Sequence, residues 1–134
     1  MRCCLLVICA LATSHFLGAE PSVYHVSVLA DTDKTEGGEL AGLIADDLRH
    51  SKDIIIDDKS PDFTVSCFAI HSDINDIHGG IAASVAIMSG QSTLIQHFAV
   101  TADSLQSLAH KVAAEFNKRE LDSLRRADAP QKQI

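Results

Sequence analysis

The segment of the chain richest in metal-binding side chains runs from His71 to His78. It holds two imidazoles and two carboxylates, those of Asp73 and Asp76, and zinc and other divalent ions accept both ligand types. Their spacing matches no metal-site template, and the two aspartates do not follow an EF-hand calcium loop. A solvated loop between strands accounts for the same residues. The metal is therefore left unknown, and a metal-binding protein or small secreted enzyme using this loop is kept as the alternative function.

Cys67 is the one candidate nucleophile that the sequence offers. A neighbouring imidazole, from His71 or His97, could activate its thiol if the fold brought the two within hydrogen-bond distance. Nothing in the sequence orients either histidine, and Cys67 lies in an apolar segment that predicts burial. The chain also lacks a G-x-S-x-G elbow, a Walker phosphate loop and an H-E-x-x-H pair. We therefore predict no catalytic residue, no cofactor-binding residue and no cofactor, and favour a non-enzymatic role.

Apolar residues alternating with polar ones predict the strands that would position these side chains. A proline at position 61 ends the second of them, and Gly79 and Gly80 close the loop before the fourth. The short connection of residues 89–92 predicts that the last two strands form an antiparallel hairpin. The predicted strands cover residues 23–30, 54–56, 63–70, 81–88 and 93–101.

Two further segments repeat their apolar residues at helical spacing. The first covers about residues 36–50, and the second covers residues 105–116, with Asp103 or Ser104 available as its cap. His110 lies next to the apolar stripe of the second helix, at the boundary of the core, where its imidazole could also make docking depend on pH. The order β-α-β-β-β-β-α predicts an α+β two-layer sandwich, a mostly antiparallel sheet with helices packed on it.

The first 19 residues have the pattern of a signal peptide. A positive start at Arg2 is followed by an apolar run too short to cross a bilayer, and Ala19 offers a cleavage site. A lipid-attachment box ending at Cys9, or a structural element at the chain start, explains the run less well. We predict a signal peptide over residues 1–19, one α/β domain over 20–126 and a flexible tail over 127–134, in a periplasmic or secreted protein.

Charge excludes one class of partner. The whole chain carries a net charge of −7, and cleavage after residue 19 would remove Arg2 and no acid, which changes it to −8. Nucleic acid is therefore not expected as a partner, because phosphate binding needs a concentrated positive face. After cleavage no stable membrane span is expected, and only Cys67 would remain of the cysteines.

Three motifs carry a resemblance to a known family. Val-Ser-Val-Leu in the first strand, Pro-Asp-Phe-Thr-Val-Ser before and within the third, and Leu-Gln-Ser-Leu-Ala-His-Lys-Val-Ala in the last helix follow its pattern over about residues 23–120. In these the chain resembles the N-terminal α/β domain of periplasmic TolB-like proteins and, more loosely, that of CsgG-like curli-secretion lipoproteins. The resemblance implies a non-enzymatic module that docks onto a protein partner in the envelope or outside the cell. It implies no particular binding residue.

Overall fold

Five strands and three α-helices build most of residues 22–72 and 79–129, the part of the chain that the computed structural model describes. The strands are β1 Tyr24–Thr32, β2 Ile54–Ile56, β3 Phe63–His71, β4 Ile81–Ser89 and β5 Thr93–Ala102. The helices are α1 Gly37–Arg49, α2 Leu105–Phe116 and α3 Asp122–Asp128, and a π-helical turn, Asn117–Leu121, joins the last two. The predicted signal peptide, residues 73–78 and residues 130–134 lie outside the described residues.

The strands form one mixed sheet in the order β2-β1-β3-β4-β5. β1 runs parallel to both of its neighbours, whereas β3, β4 and β5 pair antiparallel in sequence order. The predicted hairpin of β4 and β5 is thus confirmed, and Gly90 takes the positive φ of 59° in its turn. The α+β class, with helices packed on the sheet, is confirmed as well.

One connection differs from the rule that consecutive strands with a short link pair antiparallel. β2 and β3 follow one another in the chain, yet they flank β1 on opposite sides: Val26 of β1 pairs with Ile56 of β2 and with Phe63 of β3. The link of residues 57–62 must therefore cross β1. A strand of three residues offers little pairing for a hairpin with β3, and both strands pair instead with the longer β1.

The crossing link lies on the side of β1 opposite the helices. His25 and Ser27 point to that side because they alternate with the buried Val26. His25 Nδ1 lies 3.0 Å from an Asp57 carboxylate oxygen, and Ser27 Oγ donates to Asp58 at 2.9 Å. These bonds hold the link against the sheet and bury Ser27.

The hydrophobic core lies between the helices and one face of the sheet, which we call the covered face. α1 packs on β1 and β2, α2 packs on β5 and β4, and the two helices pack on each other. Gly37 allows the close approach of α1, since a Cβ there would lie 2.8 Å from the Ala30 carbonyl oxygen. The predicted stripe of α2 is confirmed, and Ser104 is its cap, accepting a hydrogen bond from the Ser107 N–H. The buried residues of α2 are Leu108, Ala109, Val112, Ala113 and Phe116.

α3 is tied back to the start of β2 by an ion pair. Arg125 donates from Nε and Nη2 to the two carboxylate oxygens of Asp53 at 2.6 and 2.7 Å, a two-pronged contact that a planar guanidinium makes well. Tyr24 adds a hydrogen bond from its hydroxyl to Asp128 at 3.1 Å. α3 thus continues to Asp128, two residues past the domain boundary expected from the sequence.

We expect Arg125→Met to destabilise the protein by about 1 kcal/mol, because it removes a partly buried charged pair but keeps the aliphatic stem. The Arg125 guanidinium holds the pKa of Asp53 below its usual range. Because this pKa is lower in the folded protein than in the unfolded chain, Asp53 stabilises the fold at every pH above its unfolded value of about 4. That stabilisation is lost as the pH falls through the folded-state pKa. Urea unfolding at neutral pH and near pH 3 measures both effects.

The matched control is Arg126→Met, because Arg126 on the same helix donates only to the Asp122 backbone carbonyl among the described groups. At neutral pH it should cost less than Arg125→Met, and its acid sensitivity should equal that of the unsubstituted chain. Equal losses from the two arginines would contradict the role given to the Asp53 pair.

Candidate functional site

His71, the first histidine of the candidate metal loop, ends β3 and lies between two carboxylates. Its Nδ1 is 2.7 Å from Asp33 Oδ1, and its Nε2 is 2.9 Å from Glu36 Oε2, an ion-pair contact that lacks the alignment of a hydrogen bond. The His71 backbone N–H donates to the same Asp33 oxygen at 3.1 Å. Both ring nitrogens therefore already have carboxylate neighbours, and the side chain is only 13% exposed.

The parallel pairing of β1 and β3 explains why these residues meet. The carboxyl ends of the two strands lie at the same edge of the sheet, so the segment after β1 comes to His71. Thr32 folds that segment: its Oγ1 accepts from the backbone N–H groups of Lys34 and Glu36 and donates to the Lys34 carbonyl. The resulting turn presents both Asp33 and Glu36 to the imidazole.

This cluster joins β3 to the start of α1. The His71 hydrogen bond is the main cause that lowers the pKa of Asp33. Within residues 22–72 and 79–129, no group of three or more histidine, cysteine, aspartate or glutamate side chains is placed to hold a metal ion. Asp73, Asp76 and His78 lie outside the described residues, so the metal-binding alternative stays a hypothesis.

Cys67 is not brought to either histidine. Its side chain points into the core from the covered face and is 2% exposed. His97 lies on the opposite face of the sheet, and His71 is four residues along the same strand, about 13 Å away at the rise of a β-strand. Burial raises the pKa of the Cys67 thiol to about 11, so the thiol stays protonated at neutral pH.

His110 and Asp47 face each other across the groove between α2 and α1. The His110 side chain is 78% exposed, and its Nδ1 lies 3.5 Å from Asp47 Oδ2. The groove, which His50 also lines, encloses about 340 Å³ and is open to solvent. His110 is thus a surface residue at the edge of the core.

The face of the sheet opposite the helices, here called the open face, carries large apolar side chains in contact with solvent. Leu29 is 55% exposed, Phe68 and Ile70 are each 50% exposed, and Leu94 is 62% exposed. On β3, β4 and β5 no residue of this face is charged, although charged residues make up 22% of the whole chain. The residues of the open face on those three strands are Thr64, Ser66, Phe68, Ile70, Ala82, Ser84, Ala86, Met88, Leu94, His97, Ala99 and Thr101.

A serine–histidine pair lies in the middle of this apolar surface. Ser84 Oγ is 2.7 Å from His97 Nε2, because the register of the hairpin makes the two side chains diagonal neighbours. Such an imidazole can accept the hydroxyl proton, but no described carboxylate bonds to its Nδ1 and both side chains are exposed. The pair supplies polar hydrogen-bonding groups at the centre of the open face. The sequence did not point to it, because the pairing depends on the register.

Where the crossing link meets the open face, a shallow depression of about 430 Å³ has formed. Ser27, Leu29 and Thr64 line it from the sheet, and Asp58 and Gln91 line it from the adjoining loops. Asp58 is the one acidic side chain that lines this depression. The open face is therefore acidic along its β1 side, where Asp58 lies at the link and Asp31 pairs with Phe68 in the register, and uncharged over β3, β4 and β5.

Comparison with known proteins gives a likeness of fold. No family model matches the chain, and no curated protein matches it in sequence. A variant PelC from Paraburkholderia phytofirmans, solved as a dodecamer, is 11% identical with a TM-score of 0.52, and the match covers 72% of this chain and 86% of that chain. A second PelC dodecamer structure from the same organism is 12% identical with a TM-score of 0.48 at the same coverage. At such identity the first likeness shows the fold alone.

No described helix is both long enough and apolar enough to cross a membrane. The TolB-like and CsgG-like resemblance stays a hypothesis, because the comparisons neither support nor oppose it.

We predict that Cys67 reacts with a thiol reagent at pH 8 about a hundredfold or more slowly in the folded protein than in urea, because burial both shields the sulfur and suppresses the thiolate. Labelling followed by absorbance measures the two rates. Cys67→Ser is the control, since it reports any reaction at Cys3, Cys4 or Cys9. Fast labelling of Cys67 in the folded protein would contradict its place in the core.

We also predict that Asp33→Asn flattens the acid branch of the stability profile. Because the folded-state pKa of Asp33 is lowered, its contribution is present above the unfolded value of about 4 and disappears as pH falls through the folded value. Urea midpoints between pH 2 and pH 7 would therefore fall less steeply in the variant. Asp103→Asn, at an exposed position in the loop between β5 and α2, is the control for removing one acidic charge. A parent-like profile for Asp33→Asn would refute the role of the His71 contact.

Proposed function

We propose that the chain is an exported, non-enzymatic protein-interaction module that binds a partner in the cell envelope or the secreted space through the open face of its sheet. The observation that carries the proposal is the uncharged, apolar surface over β3, β4 and β5. Contiguous apolar surface of this kind, rimmed by polar residues, marks binding sites in proteins.

The open face is not needed for the core of the described domain. α1 and α2 bury the covered face, and the side chains of Leu29, Phe68 and Ile70 project away from that core. Burying the remaining exposed half of each would contribute about 1 kcal/mol to binding, on the scale of about 1.5 to 3 kcal/mol for a complete large apolar side chain. Three such residues close together can serve as the centre of a binding surface.

The polar groups of the face would fix the orientation of the partner. Ser84 and His97 offer a hydroxyl and an imidazole in the centre, and Asp58 offers a carboxylate on the acidic side. Protein interfaces combine an apolar centre with a few hydrogen bonds and a polar rim. The expected partner surface is therefore largely apolar, with a basic group that would lie beside Asp58.

Two further lines support a role in protein assembly. The similar PelC chain, at a TM-score of 0.52, was solved as a dodecamer, so a fold of this kind takes part in an assembly there. The motifs that resemble TolB-like and CsgG-like domains imply docking in the envelope. Export itself is supported by the pattern of residues 1–19.

We expect a photo-crosslinking amino acid at position 68, on the open face, to yield discrete protein adducts in the producing cell. The same amino acid at position 39, on the exposed side of α1, is the control and should not yield these adducts. Mass spectrometry identifies the adducts, and N-terminal sequencing of the purified chain should give a start at Glu20.

Identical adducts from positions 68 and 39, or none from position 68, would refute docking through the open face. A chain that retains Met1 and stays inside the cell would refute export. Phe68→Ser combined with Ile70→Ser should abolish the adducts of a probe at position 29 without changing the melting temperature, because both side chains are half exposed.

A further inference from the structure

The two edges of the sheet differ in how they are protected from pairing with another strand. β2, at one edge, is three residues long and stands between charged residues: Lys52 and Asp53 precede it, and Asp57 and Asp58 follow it. β5, at the other edge, is ten residues long and contains no charged residue, no proline and no glycine. Most of its residues are exposed.

A long, uncharged edge strand such as β5 is a template for pairing with another strand. On its outer side no described strand pairs with β5, and proteins that avoid pairing at such an edge use short strands, lysine, proline or bulges. The described part of the chain protects β5 only near its ends: a register shift lies opposite Ile87 and Met88, and Lys111 Nζ donates to the Thr101 carbonyl at 2.7 Å. The middle of β5, around His97 and Phe98, lacks these devices.

The order of side chains along β5 is complementary to itself in one orientation. Leu94 and Ile95, both large and exposed, lie in its first half, and Ala99 and Thr101, both small, lie in its second half. A two-fold axis near the middle of the strand would place the large residues of one copy opposite the small residues of the other. A parallel arrangement would place large side chains beside large ones.

Charge also favours a second copy at this edge. With a net charge of −7, two copies repel each other wherever acidic surfaces meet, and the β2 edge is acidic. β5 itself carries no charged residue, and the charged groups nearest its middle are an oppositely charged pair, Arg119 over the Phe98 ring and its partner Glu115. We infer that β5 pairs antiparallel with β5 of a second copy of this chain and joins the two sheets across a two-fold axis.

This pairing goes beyond the proposed function and does not depend on it. The two open faces would become one continuous surface, with Leu94 and Ile95 of each copy buried at the junction. A standard protein interface buries about 800 Å² on each partner, and pairing through one edge strand buries less. The dimer should therefore dissociate on dilution.

The test is sedimentation of the full chain, purified as the producing cell delivers it, over a range of concentrations. The parent should shift from monomer to dimer as concentration rises. Ala99→Lys places a charge in the middle of β5 at an exposed position and should weaken the dimer at least tenfold with an unchanged melting temperature. Ile95→Lys, also on β5, should act in the same direction and guards against an effect peculiar to position 99.

Ile55→Lys is the matched control, since Ile55 is 48% exposed on the opposite edge strand. It should leave the dimer unchanged. A parent that stays monomeric at all concentrations, as expected if β5 instead binds a strand of a different protein, would overturn the inference. So would a dimer that Ala99→Lys leaves intact, or a larger assembly that Ile55→Lys disrupts as strongly. The test does not involve the open-face probe at position 68, so the two proposals fail separately.

Discussion

Burial of two amphipathic helices against one face of the sheet is the interaction on which the rest of the structure depends. α1 and α2 each present an apolar stripe, and both stripes meet the same face, with Leu40, Ile44, Leu108 and Phe116 completely buried. Because the helices also pack on each other, they occupy that face and leave the other free of helices within the described residues. An uncovered surface on β3, β4 and β5 follows directly from this one-sided layering.

Much of the architecture could be predicted from local patterns. The stripe of α2 repeats at helical spacing over three turns, and the short connection after β4 allows hardly anything except a hairpin. The partners of β2 and β3 could not be predicted in this way. β2 and β3 could pair with each other or each could pair with β1, and in the structure each pairs with β1. Which pairing is preferred depends on residues far apart in the chain, so no short stretch of sequence determines it.

The surface chemistry was harder to predict than the fold for a related reason. β3 has apolar residues on both of its faces, so alternation alone cannot tell whether Cys67 or Phe68 points to the helices. The contact between Ser84 and His97 could not be predicted either, because it depends on the register in which β4 and β5 pair. His71 illustrates another case: its residue type drew attention in the sequence, but its two carboxylate neighbours follow from the parallel pairing of β1 and β3, which the sequence did not predict.

The crossing of β1 by residues 57–62 also sets the order in which the chain can organise during synthesis. Both strands that flank β1 lie later in the sequence, and its main partner, β3, ends only at His71. β1 can pair with the three residues of β2 once Ile56 has been made, but the rest of its pairing waits for β3.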